Sequence, residues 1–243
     1  MIVRQVLLRQ SRNMSLKFLS KKESEDVDKV LVDDYTFSFD QLIELAGQAV
    51  ACSIAHYFPL ETPRSNSKVL VVSGPGNNGA DGMVAARHLS SFGYSTSLMS
   101  VKKPTKELYC RLYKQAELSD VNCLPFSEDM DFSSFGLIVD AVFGFSFKGQ
   151  PRSPYDIVIQ KFASVKTPTV SVDIPSGWQV DDELPTNDFN PSCLISLTAP
   201  KYVCRNFKST HYLAGRFVPR RLAQDFQLNH PNYSEQNVFI KLS

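Results

Sequence analysis

Two aspartates stand where an apolar run gives way to a glycine-bearing loop. Asp140 follows Leu137-Ile138-Val139 and precedes Ala141–Gly149, and Asp173 follows Thr169–Val172 and precedes Ile174-Pro175-Ser176-Gly177-Trp178. A third, Asp81, lies in the stretch Gly74–Gly82, GPGNNGADG, beside Asn77 and Asn78. A buried carboxylate without a partner is costly, so aspartates at the ends of apolar strands are poor core residues. Each alone is compatible with an N-cap of a following helix. Taken with Asn78 they favour a functional site at the ends of these strands over three separate caps.

The glycine stretch follows the β-branched and apolar run Val69–Val72, as expected of a strand buried on both faces, and leads into a helical apolar face from Asp81 to Leu89. Strand, glycine-rich turn and helix start together aim backbone N–H groups at an anion. Gly74, Gly76 and Gly79 satisfy G-x-G-x-x-G, but the acid that should hold a ribose near the end of the second strand is missing: that region reads Ser97–Lys103 without a carboxylate. No Lys-Ser/Thr follows the loop, which excludes a Walker A motif. A plain phosphate cradle has no use for Asp81, which points to more specific contacts or a nearby cation. The alternative is a tight strand-to-helix turn.

The elements that must position these residues can be read in order. Capping boxes at Ser20/Glu23 and Ser38/Gln41 predict two helices ahead of the first strand, the first to about Leu31 and the second ending before Pro59. They form an N-terminal helical cap for a sheet edge or a second subunit. Thr62–Lys68 is a polar connector. Strands are expected at Tyr94–Val101, Cys123–Phe126, Phe135–Phe143, Pro168–Asp173, Cys193–Leu197 and around Arg216–Val218, with helices at Pro104–Leu118 and Pro154–Val165. Alternating strands and helices predict an α/β fold: a Rossmann-like, three-layer, doubly wound and mostly parallel sheet, whose ligands bind beyond the strands' carboxyl ends. Asp181–Pro191 reads as a polar surface loop.

The 243 residues suit one large domain, here 20–243, behind a basic segment 1–19. No apolar run approaches the ~20 residues of a membrane span. Five scattered cysteines without C-x-x-C spacing argue against a disulfide framework or a zinc site. A net charge of +1 gives no support to nucleic-acid binding. Residues 1–22 carry Arg4, Arg9, Arg12, Lys17, Lys21 and Lys22 and no acid, which fits either a mitochondrial presequence or an ordinary basic arm. Met14 offers a second start, so the expected location is mitochondrial, cytoplasmic or both.

The motifs GPGNNGADG, DAVFGFSFKG, VDIPSGW, LISLTAPK and GRFVP together resemble the YjeF N-terminal family, its animal members above all, from about Phe18 to Leu242. The resemblance implies a homodimer that interconverts the R and S hydrates of NADH and NADPH, so that a separate S-specific dehydratase can restore the cofactor. It places substrate contacts on Asn77, Asn78, Gly79, Ala80 and Asp81, on Gly144, Phe145, Ser146, Phe147, Lys148, Gly149 and Gln150, and on Asp173. It places a potassium ion (K+) on Asn78, Asp140 and Ser176, all oxygen donors. Lys148 or the helix N-termini would meet the phosphates, and Asp173 is the expected proton-transfer residue. Animal members are also associated with apolipoprotein A-I.

Three departures accompany the resemblance. Ala80 replaces a second glycine, Asp181–Asn190 lacks glycines, and Tyr202–Lys208 carries an extra cysteine. Ala80 precedes the expected helix start, where φ is negative and alanine is comfortable, so activity is expected to survive it. Two rival readings are a non-catalytic scaffold or RNA- or protein-binding module, and a redox enzyme using intact nicotinamide cofactor. The retained Asn78, Asp140, Asp173 and Ser176 speak against the first, and the missing ribose acid against the second.

Overall fold

The structure is a computed structural model that describes residues 15–60, 67–185 and 187–243. Most of the basic N-terminal segment, with Met14, and most of the Thr62–Lys68 connector therefore lie outside the described residues.

Helices α1 (Lys21–Asp33) and α2 (Phe39–Tyr57) open on complete capping boxes, with Ser20 and Ser38 accepting from the amides of Glu23 and Gln41. The sheet is then built from β1 (Lys68–Ser73), β2 (Ser95–Ser100), β3 (Asn122–Pro125), β4 (Leu137–Ala141), β5 (Thr169–Val172), β6 (Cys193–Leu197), β7 (Thr210–Ala214) and β8 (Phe239–Lys241). Helices α3 (Asn77–Ser91), α4 (Glu107–Glu117), α5 (Tyr155–Ser164) and the short α6 (Arg220–Asp225) complete it. The strand order is β3-β2-β1-β4-β5-β6-β7-β8, parallel throughout except for the antiparallel β7–β8 pair. The expected doubly wound α/β sheet is thus present, with its switch point between β1 and β4.

The pleat of β1 divides the core. Val69 and Val71 pack with α2, α3 and α4 on one face, while Leu70 and Val72 pack with Val158, Ile159 and Phe162 of α5 on the other. Helix α2 thus lies in a helical layer beside α3. Helix α1 does not cover a sheet edge: Val27 and Leu31 pack with Leu19, Ala199, Leu222 and Leu228, next to the segment that leaves β6.

Two expectations are corrected. Arg216–Val218 is a turn, and the last strands are Thr210–Ala214 and Phe239–Lys241. Gly215 at φ +89° breaks the run after Ala214, and the Phe217 ring folds back to within 2.3 Å of where a Cβ on Gly215 would stand. Helix α3 begins at Asn77, four residues before Asp81, because two of its glycines serve packing inside the helix. A Cβ on Gly79 would stand 2.1 Å from the Gly74 carbonyl oxygen, and one on Gly82 would stand 2.5 Å from the Ala141 Cβ. Those contacts press α3 onto the ends of β1 and β4, which brings its first turn to the switch point.

Candidate active site

A cavity of about 320 Å³ opens beyond the carboxyl ends of β1, β4, β5 and β6. Its floor is made by strand ends and its roof by Leu19, Ser24 and Asp28 from the N-terminal segment, with Phe39, Leu42, Ile43 and Ala46 of α2.

The first turn of α3 lines one wall through Gly76, Asn77, Asn78 and Asp81. Gly76 caps this helix without a side-chain hydrogen bond, so its leading amides are left to a ligand or solvent. The Tyr109 hydroxyl donates to Asn77 Oδ1 at 2.7 Å. Both polar atoms of the Asn78 amide are buried without a hydrogen-bond partner among the described residues. Such a group costs on the order of 1–3 kcal/mol, and a bound ion or substrate would relieve it.

Strands β5 and β6 end in the same rare way. Asp173 has φ +70° and Thr198 φ +64°, and each is spanned by a hydrogen bond two residues long, Ile174 N to Val172 O at 2.9 Å and Ala199 N to Leu197 O at 2.6 Å. These are γ-turns with a positive φ, costly for a non-glycine residue and worst for a β-branched one. Both turn centres line the cavity. Strained backbone of this kind clusters at functional sites.

Within the cavity Lys201 reaches Asp173. Its ammonium lies 2.6 Å from Asp173 Oδ1 and donates to the carbonyls of Leu197 (2.7 Å) and Ala199 (3.0 Å). Asp173 Oδ2 accepts from the Phe145 amide at 2.8 Å. Both side chains are almost wholly buried, at 2% and 6% exposure, so this pair is far stronger than a surface one and far costlier to break. Two further carboxyls share the neighbourhood. Burial, together with the negative charges of Asp173 and Asp28, pushes Asp81 well above the usual carboxylate range. Burial also raises Asp28 to about 6, against the pull of Lys201. The site therefore holds one carboxylate paired with a lysine, one carboxyl that burial and neighbouring negative charge push toward its neutral form, and one raised to about 6.

Asp140 and Ser176 stand behind the cavity wall. The Asp140 carboxylate accepts from the Ser171 hydroxyl (2.8 Å), the Ser176 amide (2.9 Å), the Ser176 hydroxyl (2.5 Å) and the Val142 amide (3.2 Å). Burial raises it above the usual range in spite of these bonds. Ser176 Oγ also accepts from the Phe143 amide at 2.9 Å, which ties the β4 loop to the β5 loop. Among the described residues no cluster of three His, Cys, Asp or Glu side chains could hold a metal. The oxygen set of Asn78, Asp140 and Ser176 is of a different kind, and within it Asn78 Oδ1, which has no hydrogen-bond partner among the described residues, is a donor of the type a hard cation takes.

The remaining expected contacts divide. Gly144, Phe145 and Ser146 line the cavity with Asp173. Gly79 and Ala80 do not: Gly79 lies on Gly74, and Ala80 is fully buried in the core beneath α2 and α3. Phe147, Lys148, Gly149 and Gln150 also lie off the cavity wall. Phe147 stacks on Phe143 with ring centroids 4.2 Å apart, Gly149 exchanges two hydrogen bonds with the Gln179 side chain, and Lys148 and Gln150 are exposed. Of the two lysines that line the cavity, Lys201 is buried and Lys106 is exposed.

Ala80 is absent from the non-glycine residues with positive φ and sits in regular helix. Ala80→Gly is therefore expected to leave turnover within about twofold while lowering stability by roughly 1 kcal/mol, the usual cost of a helical glycine. Urea unfolding and initial rates on the two proteins check both halves.

The sequence alone assigns no role to Lys201, Asp28 or Thr198. Lys201 had a signal, a lone lysine just after the apolar strand β6. Asp28 had none, being one of several charges on an amphipathic helix.

Comparison with known proteins is consistent over nearly the whole chain. Residues 39–203 match the family described as YjeF-related protein N-terminus. A protein of Dictyostelium discoideum named NAD(P)H-hydrate epimerase is 40% identical over 234 residues, 94% of this chain and 97% of its own. One of the same name from Anopheles gambiae is 44% identical, over 94% of this chain and all of its own. The crystal structure of the yeast protein YNL200c superposes with a TM-score of 0.87 at 38% identity, covering 93% of this chain and 100% of that one.

Proposed function

The chain belongs to the family of YjeF-related N-terminal domains, and from that membership and its cavity we propose that it is an NAD(P)H-hydrate epimerase. The observation that carries the reading is the buried Asp173–Lys201 pair, set in a cavity beside the uncapped start of α3.

The substrate is a reduced nicotinamide dinucleotide hydrated at carbon six, where the hydroxyl and the ring nitrogen share one carbon. In this reading the leading amides of α3 and the exposed Lys106 ammonium meet the pyrophosphate. The hydrated ring then enters the deeper end, toward Asp173. Protonation of the hydroxyl lets it leave as water while the nitrogen lone pair forms an iminium cation. Water returning to the other face, with loss of a proton, gives the opposite epimer. Asp173 has one oxygen on Lys201 and the other on the Phe145 amide, and each keeps a lone pair for a proton. Its carboxylate also offers negative charge to the cationic intermediate.

A potassium ion belongs to this reading, held by Asn78, Asp140 and Ser176; when bound it supplies fixed positive charge beside the substrate turn. Asp140→Ala is expected to abolish any rise in melting temperature on exchanging sodium for potassium. An undiminished potassium response in that variant would remove Asp140 from the ion site.

The S epimer formed is the substrate of a separate S-specific dehydratase. That gives the decisive experiment: purified chain, dehydratase and the R hydrate of NADH, with NADH followed at its absorption band. Recovery of NADH from the R hydrate is expected only when both proteins are present. The basic segment 1–22 supports a mitochondrial address, with a form starting at Met14 staying in the cytoplasm. A reporter carrying residues 1–22 should enter mitochondria, and diffuse signal would favour the basic-arm reading. Light scattering on the purified protein checks the homodimer that the family resemblance implies.

A further inference from the structure

Epimerisation by loss and return of water needs a proton donor on one face of the ring and an acceptor on the other. A single carboxylate cannot be on both. Helix α1 lies outside residues 39–203, which the family model matches, yet it contributes to the cavity.

Its placement is closely fixed. Leu19 pairs with Lys201 in a parallel bridge, with Leu19 N donating to Pro200 O at 2.7 Å and Tyr202 N to Leu19 O at 2.9 Å. The first turn is tied down twice more, by the Lys21 amide on Asp181 Oδ1 (2.8 Å) and the Lys21 ammonium on the Ser146 carbonyl (3.0 Å). Val27 and Leu31 anchor the buried side of the helix. Ser24 and Asp28, one turn apart, both line the cavity. Among the described residues nothing hydrogen-bonds to the Asp28 carboxyl. The charged or titratable groups around it are Lys201 beyond β6, Asp173 at the end of β5 and Asp81 on α3. An acidic cluster alone would mean little. Here the orphaned, buried Asn78 amide in the same cavity independently marks a place for a ligand.

We propose that Asp28 is the second acid–base residue of the reaction, acting with Asp173 from a different wall of the cavity. The inference rests on the epimerase reading. In one direction the Asp28 carboxyl gives its proton to the hydroxyl on carbon six. The carbon–oxygen bond breaks, its electron pair leaves with the water, and the nitrogen lone pair becomes the second bond of the iminium. Water then attacks carbon six on the other face, the iminium electron pair returns to nitrogen, and the released proton passes to the Asp173 carboxylate. The opposite epimer runs the same steps backward with donor and acceptor exchanged. Asp28 suits the task because it titrates near neutrality, where a proton carrier works best.

The test compares the full chain with Asp28→Asn and Asp28→Glu, using the R and S hydrates of NADH separately. Asp28→Asn is expected to lose about 100-fold or more in kcat in both directions, with KM changed by less than about threefold. The limb of the kcat/KM profile near pH 6, which reports the free protein, should vanish with it, and Asp28→Glu should recover part of the rate. A raised melting temperature at pH 7 in Asp28→Asn would show that the loss is not one of folding, since the substitution removes a carboxylate that burial penalises. Turnover by Asp28→Asn within about threefold of the parent overturns the proposal, as does a pH 6 limb that survives the substitution. A parent chain inactive on both hydrates overturns the epimerase reading itself, and this inference with it.

Discussion

Asp173→Asn is expected to lower epimerisation by ~10²–10⁴-fold. Asparagine keeps the size of the side chain and tolerates positive φ, so the turn at φ +70° is retained. Its amide oxygen can still accept from the Phe145 amide, as Asp173 Oδ2 does at 2.8 Å. What it cannot do is take up a proton at neutral pH. Initial rates on the R hydrate, with circular dichroism to confirm the fold, check this. A variant within about fivefold of the parent would remove Asp173 from proton transfer and leave it a partner of Lys201.

Lys201→Met should produce the largest loss of stability. The substitution fits the volume but strands Asp173, which is 6% exposed, without its cation, and takes a donor from the carbonyls of Leu197 and Ala199. Breaking a buried pair from one side costs ~3–5 kcal/mol, more than a typical surface ion pair by several-fold. Urea titrations of the two proteins measure it. A deficit below about 1 kcal/mol would mean that water enters and solvates Asp173.

The two variants separate the roles of one ion pair. Asp173→Asn removes the proton carrier and leaves the Lys201 ammonium with only the carbonyls of Leu197 and Ala199, whereas Lys201→Met touches no proton carrier and acts through structure. Their contrast also bears on the paired γ-turns at Asp173 and Thr198, because Lys201 bonds the carbonyls of Leu197 and Ala199 on either side of Thr198. The lysine thus holds the end of β6 in its strained form while it neutralises the end of β5.

The amino-acid sequence by itself determined most of what depends on neighbours along the chain. Ser20 with Glu23 and Ser38 with Gln41 specify both helix starts, because a capping box closes within four residues. The apolar runs of β1 and β4 specify buried parallel strands, and their alternation with helices specifies the doubly wound sheet. The motifs GPGNNGADG, DAVFGFSFKG and VDIPSGW carry Asn78, Asp140, Asp173 and Ser176. Tertiary structure alone decided what happens between segments far apart in the chain. It turned residues 147–150 off the cavity wall, because Phe147 found Phe143 and Gly149 found Gln179. It set α3 back to Asn77, since close packing of Gly79 and Gly82 is visible only once β1 and β4 lie side by side. It gave Asp173 its lysine and its positive φ, neither of which has a local signature. And it carried Asp28, on a helix with no chemical motif, into the same cavity through a backbone bridge between Leu19 and Lys201. Periodicity and capping are short-range and are written in consecutive residues. The pairing of charges across a cavity is set by which strand ends the fold brings together.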